Sequence, residues 1–331
     1  MTKEFLKISF LVMVLVWSTI SFAAEPLGVP DRDYIEYPDD EEHTEEEIHL
    51  GKVLFFDPRL SLNEKQSCAT CHNPDLGFSD GLAFGLGTMG AKVGRNAPHI
   101  YNLAWNISFF WDGRAATLEE QALGPIEAGG EMNMPLPKLI ERLKKIKGYR
   151  ELFDKAYGKD SINKENIGKA IAAFERTIIV DDTPFDRYMK GDKNAMSPDA
   201  INGKKLFETK ARCILCHDGP NFTDNSFHNI GVLGDDIGRG KFMPKNDRSL
   251  DGAFKTPGLR NIIFSAPYMH DGSEGTLEDV VRFYNRGGND VKNKSKLMIP
   301  LNLTEKEIFD IVAFLGCLTQ PISIKKPELP K

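Results

Sequence analysis

The sequence predicts an all-α protein made of two successive halves. Three observations carry this: apolar residues recur at helical spacing behind capping residues, alternating strand patterns are scarce, and a weak repeat divides the chain. The 331 residues suit two domains at roughly 100–200 residues each.

Taken in order, Thr44-Glu45-Glu46-Glu47 is a capping box opening a helix through Phe56. Thr117-Leu118-Glu119-Glu120 opens another. Residues 136–157 place Leu139, Ile140, Leu143, Ile146, Leu152 and Phe153 on one helical face, with Gly158 as the stop. Residues 164–180 read as one helix, and Ser197-Pro198 starts the next with proline in its first turn. Thr276-Leu277-Glu278-Asp279 and Thr304-Glu305-Lys306-Glu307 open the last two. The Gly-rich stretches 77–94 and 229–241 read as long ordered loops, the kind that carry function in a compact domain. The repeat pairs GKVLFFDPRL with GKKLFETK, and IGKAIAAFERTI at 167–178 with IFDIVAFLGCL at 308–318. Its boundary falls in the Pro- and charge-containing segment 182–198.

At the N-terminus, Lys3 and Lys7 precede an apolar run from Ile8 to Phe22, and small residues follow at Ser21 and Ala23. This is the pattern of a secretory signal over 1–24, cleaved near Ala23 or Ala24, and the run is short for a spanning helix. The expectation is an exported protein with no membrane span after cleavage, in a bacterium periplasmic. Residues 25–43 are Pro- and acid-rich and read as an extended arm. The remaining boundaries are 44–185 for the first domain, 196–320 for the second and 321–331 for a tail. The formal net charge of −6 argues against a nucleic-acid partner.

Four of the five cysteines form Cys68-Ala69-Thr70-Cys71-His72 and Cys213-Ile214-Leu215-Cys216-His217. This is the spacing of c-type haem attachment: two thiols reach the vinyl groups of one haem, and the adjacent His lies under the iron. A single four-cysteine zinc site would have to join distant pairs and leaves both histidines unexplained, as does a pair of redox disulfides. Cys317, on the apolar face of the last helix, reads as a buried free thiol.

The segments around these units resemble the bacterial di-haem cytochrome c peroxidase family, including its MauG branch, from about Leu50 to Thr319. LFFDPRLS at 54–61, GRNAPHIYN at 94–102, FFWDGRAATLEEQALGPI at 109–126, CILCHDGPNFTD at 213–224 and FKTPGLRNIIFSAPYMHDG at 254–272 carry the likeness. The resemblance implies two cytochrome c-like domains with one covalent haem c in each, and reduction of hydrogen peroxide at the N-terminal haem. It implies His72 as proximal ligand of that haem, and Gln121 and Glu131 in its distal pocket. Phe110 would be a packing residue of the pocket and Pro125 a loop residue at its edge, with Trp111 between the haems.

The second His of reductively activated members falls at Thr88, which is no strong ligand. Met89 and His99 are near but do not match the position. An open iron in the oxidised protein is the expectation. His217 would hold the C-terminal haem, with Tyr284 as second ligand as in MauG, and Met269 or Met298 as the sulfur alternatives. Asn96, Ser265 and Pro267 match the ligands of one Ca2+ between the haems, whose oxygen donors suit that ion. The surface tryptophan by which MauG relays electrons from a protein substrate falls at Ala211. The reading is therefore a peroxidase supplied by a small periplasmic donor such as a c-type cytochrome or cupredoxin, with a homodimer as an allowed assembly. The alternatives are a MauG-like enzyme oxidising a partner protein and a non-enzymatic di-haem electron carrier.

Overall fold

The computed structural model describes residues 24–38 and 42–331, so the export signal expected over 1–24 lies outside them except for Ala24. The helices are α1 (Glu45–Phe56), α2 (Cys68–Cys71), α3 (Leu118–Glu127), α4 (Leu136–Lys145), α5 (Lys147–Tyr157), α6 (Lys164–Arg176), α7 (Pro184–Met189), α8 (Pro198–Glu208), α9 (Leu277–Asn285) and α10 (Glu305–Gly316). Sheet among the described residues is limited to β1 (Phe227–His228) and β2 (Phe254–Lys255), paired antiparallel with Phe227 opposite Lys255. The chain is thus helix-rich, and loops 77–94 and 229–241 are ordered by short turns and bridges, as expected.

The repeat has a packing cause. A Cβ on Gly51 of α1 would lie 1.7 Å from the Ala170 carbonyl oxygen of α6 and 3.0 Å from Phe174 Cβ. A Cβ on Gly203 of α8 would lie 1.9 Å from the Asp310 oxygen of α10 and 2.9 Å from Phe314 Cβ. The two GK-x-LF segments are therefore the same device: glycine lets a helix touch the backbone of its partner. Around the first crossing, Leu50, Leu54, Leu139, Tyr149, Phe153 and Ile171 form one core. Around the second, Phe185, Phe207, Phe222, Ile308, Ile311 and Phe314 form another.

Three expectations are corrected. Residues 136–157 are two helices, because Ile146 turns extended (φ −92°, ψ 114°) between α4 and α5. The break lets the chain end dock: Gly148 N–H donates to the Lys331 oxygen at 3.0 Å, and a Cβ there would lie 2.6 Å from Pro330 Cβ. The helix expected over 164–180 stops at Arg176. The segment 182–198 is not a plain linker, since it holds α7, opened by a Thr183–Asp186 capping box with Pro184 in the first turn. Phe185 enters the second core, and buried Asp186 receives both ends of the Arg260 guanidinium at 2.9 Å. A buried carboxylate that lost this partner would be an unpaired charge, so the pair fixes α7 to the 254–272 segment.

The termini cross between halves. In the arm, Leu27 is buried in the second core and Glu25 N–H donates to Asp218 at 2.9 Å. In the tail, Ile322 and Ile324 pack beside Phe55 and Phe56, Leu329 reaches the first core, and Arg59 donates to the Pro330 oxygen at 3.0 Å. Each half is strapped by the other's end of the chain. No helix among the described residues is long and apolar enough to cross a membrane.

Candidate functional site

The two Cys-x-x-Cys-His units fold alike. In the first, α2 spans Cys68–Cys71 and His72 N–H donates to the Cys68 oxygen at 2.8 Å. In the second, a 3-10 turn spans Cys213–Leu215 and His217 N–H donates to the Cys213 oxygen at 2.8 Å. Each imidazole is then oriented from behind: His72 Nδ1 lies 3.1 Å from the Phe78 oxygen, and His217 Nδ1 2.9 Å from the Phe222 oxygen. A carbonyl only accepts, so Nδ1 carries the proton and Nε2 keeps its lone pair for a metal. Burial pushes both ring pKa values down, keeping the rings neutral as a ligand must be.

Each unit lines its own cavity. Cys68, Cys71 and His72 belong to one of about 550 Å3, Cys213, Cys216 and His217 to one of about 190 Å3. This separation disposes of a shared four-cysteine zinc site, and all five cysteines are free thiols. Cys216 does lie near Asp224 and His228, within 4.8 Å, but those two satisfy each other at 2.8 Å, and only His228 lines the cavity. Cys317 is half-buried against the second core and lines neither cavity.

The first cavity carries the polar residues expected of it. Gln121, Phe110, Trp111, Glu131 and Pro125 all line it, with Pro125 inside helix α3 rather than in a loop. Burial raises the Glu131 pKa, opposed by the positive charge of Arg114. The backbone around Glu131 is clamped by the 85–93 loop. Thr88 N–H donates to the Glu131 oxygen at 2.7 Å, and a Cβ on Gly87 would lie 1.8 Å from the Gly130 oxygen.

That loop offers backbone to the cavity but no substitute ligand. Thr88 is buried away from it, and Met89, at φ 61°, is 91% exposed. His99 lines the cavity with both ring nitrogens engaged, Nε2 with the Gly258 oxygen at 2.9 Å and Nδ1 accepting from Tyr101 N–H at 3.3 Å.

The second cavity is lined by Tyr284 of α9 together with Met269 and Met298, so the structure brings the tyrosine and both sulfur alternatives to one chamber. Burial pushes the Tyr284 phenol well above its ordinary pKa, so a phenolate there needs a cation beside it. Asn96, Ser265 and Pro267 also border this cavity. Asn96 spends its amide N–H on the Leu82 oxygen at 2.8 Å, which leaves its side-chain oxygen for a hard cation.

Asn96, Pro98, His99, Trp111, Lys255 and Pro257 line both cavities and form their shared wall. Trp111 is held there twice: its indole N–H donates to the Asn96 oxygen at 2.9 Å, and its own carbonyl accepts from Lys255 N–H at 2.8 Å. Two residues escaped the sequence reading. Arg114 stacks its guanidinium 3.4 Å above the Phe110 ring and lines the first cavity, and the adjacent Trp111-Asp112-Gly113 was the available signal. Lys255, a buried cation in the FKTPGLRN segment, gives no such signal, since an isolated lysine is usually solvated.

These features fit two histidine-based cofactor sites, one at each cavity. The family model for di-haem cytochrome c peroxidase matches residues 45–194. The chain is 47% identical to methylamine utilization protein MauG of Methylorubrum extorquens, covering 87% of this chain and 82% of that one. It is 38% identical to cytochrome-c peroxidase IdrP1 of Denitromonas iodatirespirans, covering 88% and 87%. A crystal structure of a MauG-like protein associated with microbial copper homeostasis superposes with a TM-score of 0.79 at 30% identity, over 92% of this chain and 95% of that one. The chain belongs to the di-haem cytochrome c peroxidase/MauG family, and it is an oxidoreductase.

Proposed function

We propose that the protein is a periplasmic di-haem c-type peroxidase that reduces hydrogen peroxide at the N-terminal site, with electrons delivered through the C-terminal site. Each half is then a cytochrome c-like domain. The observation that carries the reading is an asymmetry: both cavities have the same Cys-x-x-Cys-His anchor, but only the first also has Glu131, a half-buried carboxyl, and Gln121 on its wall. The free thiols at vinyl spacing and the neutral imidazoles fit haem c at both sites. Haem iron there would supply the electron transfer that breaks the O–O bond.

The protein's part is to bind and to move protons. Glu131 takes the proton from one peroxide oxygen and returns it to the other, which leaves as water; burial raises its pKa, which strengthens it as a proton acceptor. Gln121, with no proton to give, orients the peroxide. Trp111 in the shared wall is the path between sites. Two electrons and two protons per peroxide yield two waters, the electrons coming from a small donor such as a c-type cytochrome or cupredoxin. Tyr284 serves as second ligand at the C-terminal site, and Asn96, Ser265 and Pro267 hold Ca2+ between the sites.

Oxidation of a partner protein is the second reading, favoured by the relatives named MauG. The position that would carry its surface relay is Ala211, 5% exposed and packed in the second core, which puts peroxide first.

Electron paramagnetic resonance of the untreated ferric protein, followed by peroxide without reductant, tests the proposal. The expected result is one high-spin and one low-spin signal and an immediate reaction. Two low-spin signals and no reaction would overturn it.

A further inference from the structure

We propose that Lys255 is a common anchor for the carboxylates of both haems, so that one ammonium group sets the reduction potentials of the two sites together. The inference rests on the di-haem reading above and adds a residue to it.

Lys255 is 6% exposed and lies on β2, in the wall shared by the two cavities. Its backbone is fixed there by the bond to the Trp111 carbonyl. Its side chain is poorly provided for. The one hydrogen bond of Nζ is a long contact to the Thr256 oxygen at 3.4 Å, and that oxygen already accepts from the Thr223 hydroxyl at 2.7 Å. The carboxylate that acts on it electrostatically is Asp224, which is bonded to His228.

Other cations on these walls are satisfied or solvated. Arg260 is paired with Asp186, Arg95 with Asp112 and Asp236, and Arg114 with Asp112. Arg212 and Lys241 are exposed. Lys255 is thus the buried cation on the described cavity walls that lacks a carboxylate of its own.

A buried ammonium with no carboxylate bonded to it is costly, and burial, only partly opposed by Asp224, lowers its pKa to about 8. The cofactor implied by the cysteines brings carboxylates to both chambers, which is the charge the site is missing. A cation held beside both sites favours the reduced form of each.

The test uses the mature protein carrying its haems. In Lys255→Met and Lys255→Gln, spectroelectrochemical titration is expected to show both midpoint potentials shifted downward. Lys255→Arg, which keeps the charge, is expected to stay near the wild-type values. Unchanged potentials in the neutral variants, or a shift confined to one haem, would overturn the proposal. Intact mass and pyridine haemochrome count the covalent haems. Haem loss in the two neutral variants with retention in Lys255→Arg supports the anchor, whereas loss in all three assigns the lysine to packing and overturns it. A wild-type mass without covalent haem would fail the di-haem reading itself, a result distinct from any of these.

Discussion

Around Cys68–His72 and Cys213–His217 the backbone does nearly the same thing. A short turn carries the thiols, its first carbonyl accepts the histidine N–H, and a carbonyl five or six residues on holds Nδ1. Behind each unit a glycine crossing sets the helix pair. The chambers nonetheless differ. The first is the larger and has Gln121, Glu131 and Arg114 on its walls; the second is the smaller, with Tyr284, Met269 and Met298. Chemistry is therefore divided by the segments that do not repeat: the 109–131 stretch on one side and α9 with its flanking loops on the other. The repeat supplies attachment, and the inserted loops supply the task.

The sharpest way to break the comparison is to remove one attachment at a time. Replacing Cys68 and Cys71 by serine is expected to cost one haem by intact mass and to abolish peroxide turnover. Replacing Cys213 and Cys216 is expected to cost one haem, keep peroxide binding at the first site and lose donor-supported turnover. The reverse pattern would exchange the roles of the two halves.

Next in size is the carboxyl that only the first chamber has. Glu131→Gln keeps shape and hydrogen bonding but removes the proton carrier, so single-turnover reaction with peroxide is expected to slow by at least about 10²-fold, the lower end for a general acid–base group. A variant reacting at the wild-type rate would move proton transfer to water or a haem carboxylate.

Tyr284→Met probes the other chamber. Exchanging a phenolate for a neutral thioether favours ferrous iron, so the C-terminal potential is expected to rise and the weak near-infrared Met–iron band to appear. If wild type already shows that band, Met269 or Met298 is the ligand.

The smallest effect concerns a position where the crossings themselves differ. With Phe174 and Phe314 as equivalents, Glu175 stands where the second half has Leu315. Glu175 is buried with Oε2 unpartnered, and burial lifts its pKa from 4.5 to about 8. A carboxyl whose folded pKa exceeds its unfolded value binds more protons when folded. Stability is therefore highest at low pH and declines as pH rises from about 4.5 towards 8. Glu175→Gln should remove that decline: melting temperatures close to wild type near pH 5, and a variant more stable than wild type near pH 8. Parallel curves would show that the carboxyl stays neutral or finds a partner.

Several helices were legible because their signals are local. The capping boxes at Thr44, Thr276 and Thr304 form as written, with the hydroxyl and the third-residue carboxyl closing on backbone N–H groups. The same signal stood at Thr183-Pro184-Phe185-Asp186 inside a segment read as a linker, where charge and proline masked it. The break at Ile146 had no local signal, since both flanks keep helical periodicity and the partner that occupies the break is the chain end at Pro330 and Lys331.

The sequence by itself determined the capped helices and the two Cys-x-x-Cys-His units, because caps and closely spaced thiols act over a few residues and need no distant partner. It also marked Glu131, Gln121, Trp111 and Tyr284, but only through likeness to a family. The tertiary structure decided which of these share a chamber, that Trp111 and Lys255 stand in the wall between chambers, that Met89 faces solvent while Thr88 clamps Glu131, and that each terminus straps the opposite half. Those outcomes depend on long-range burial and on which backbone carbonyls are left to accept, quantities that exist only once the chain has closed on itself.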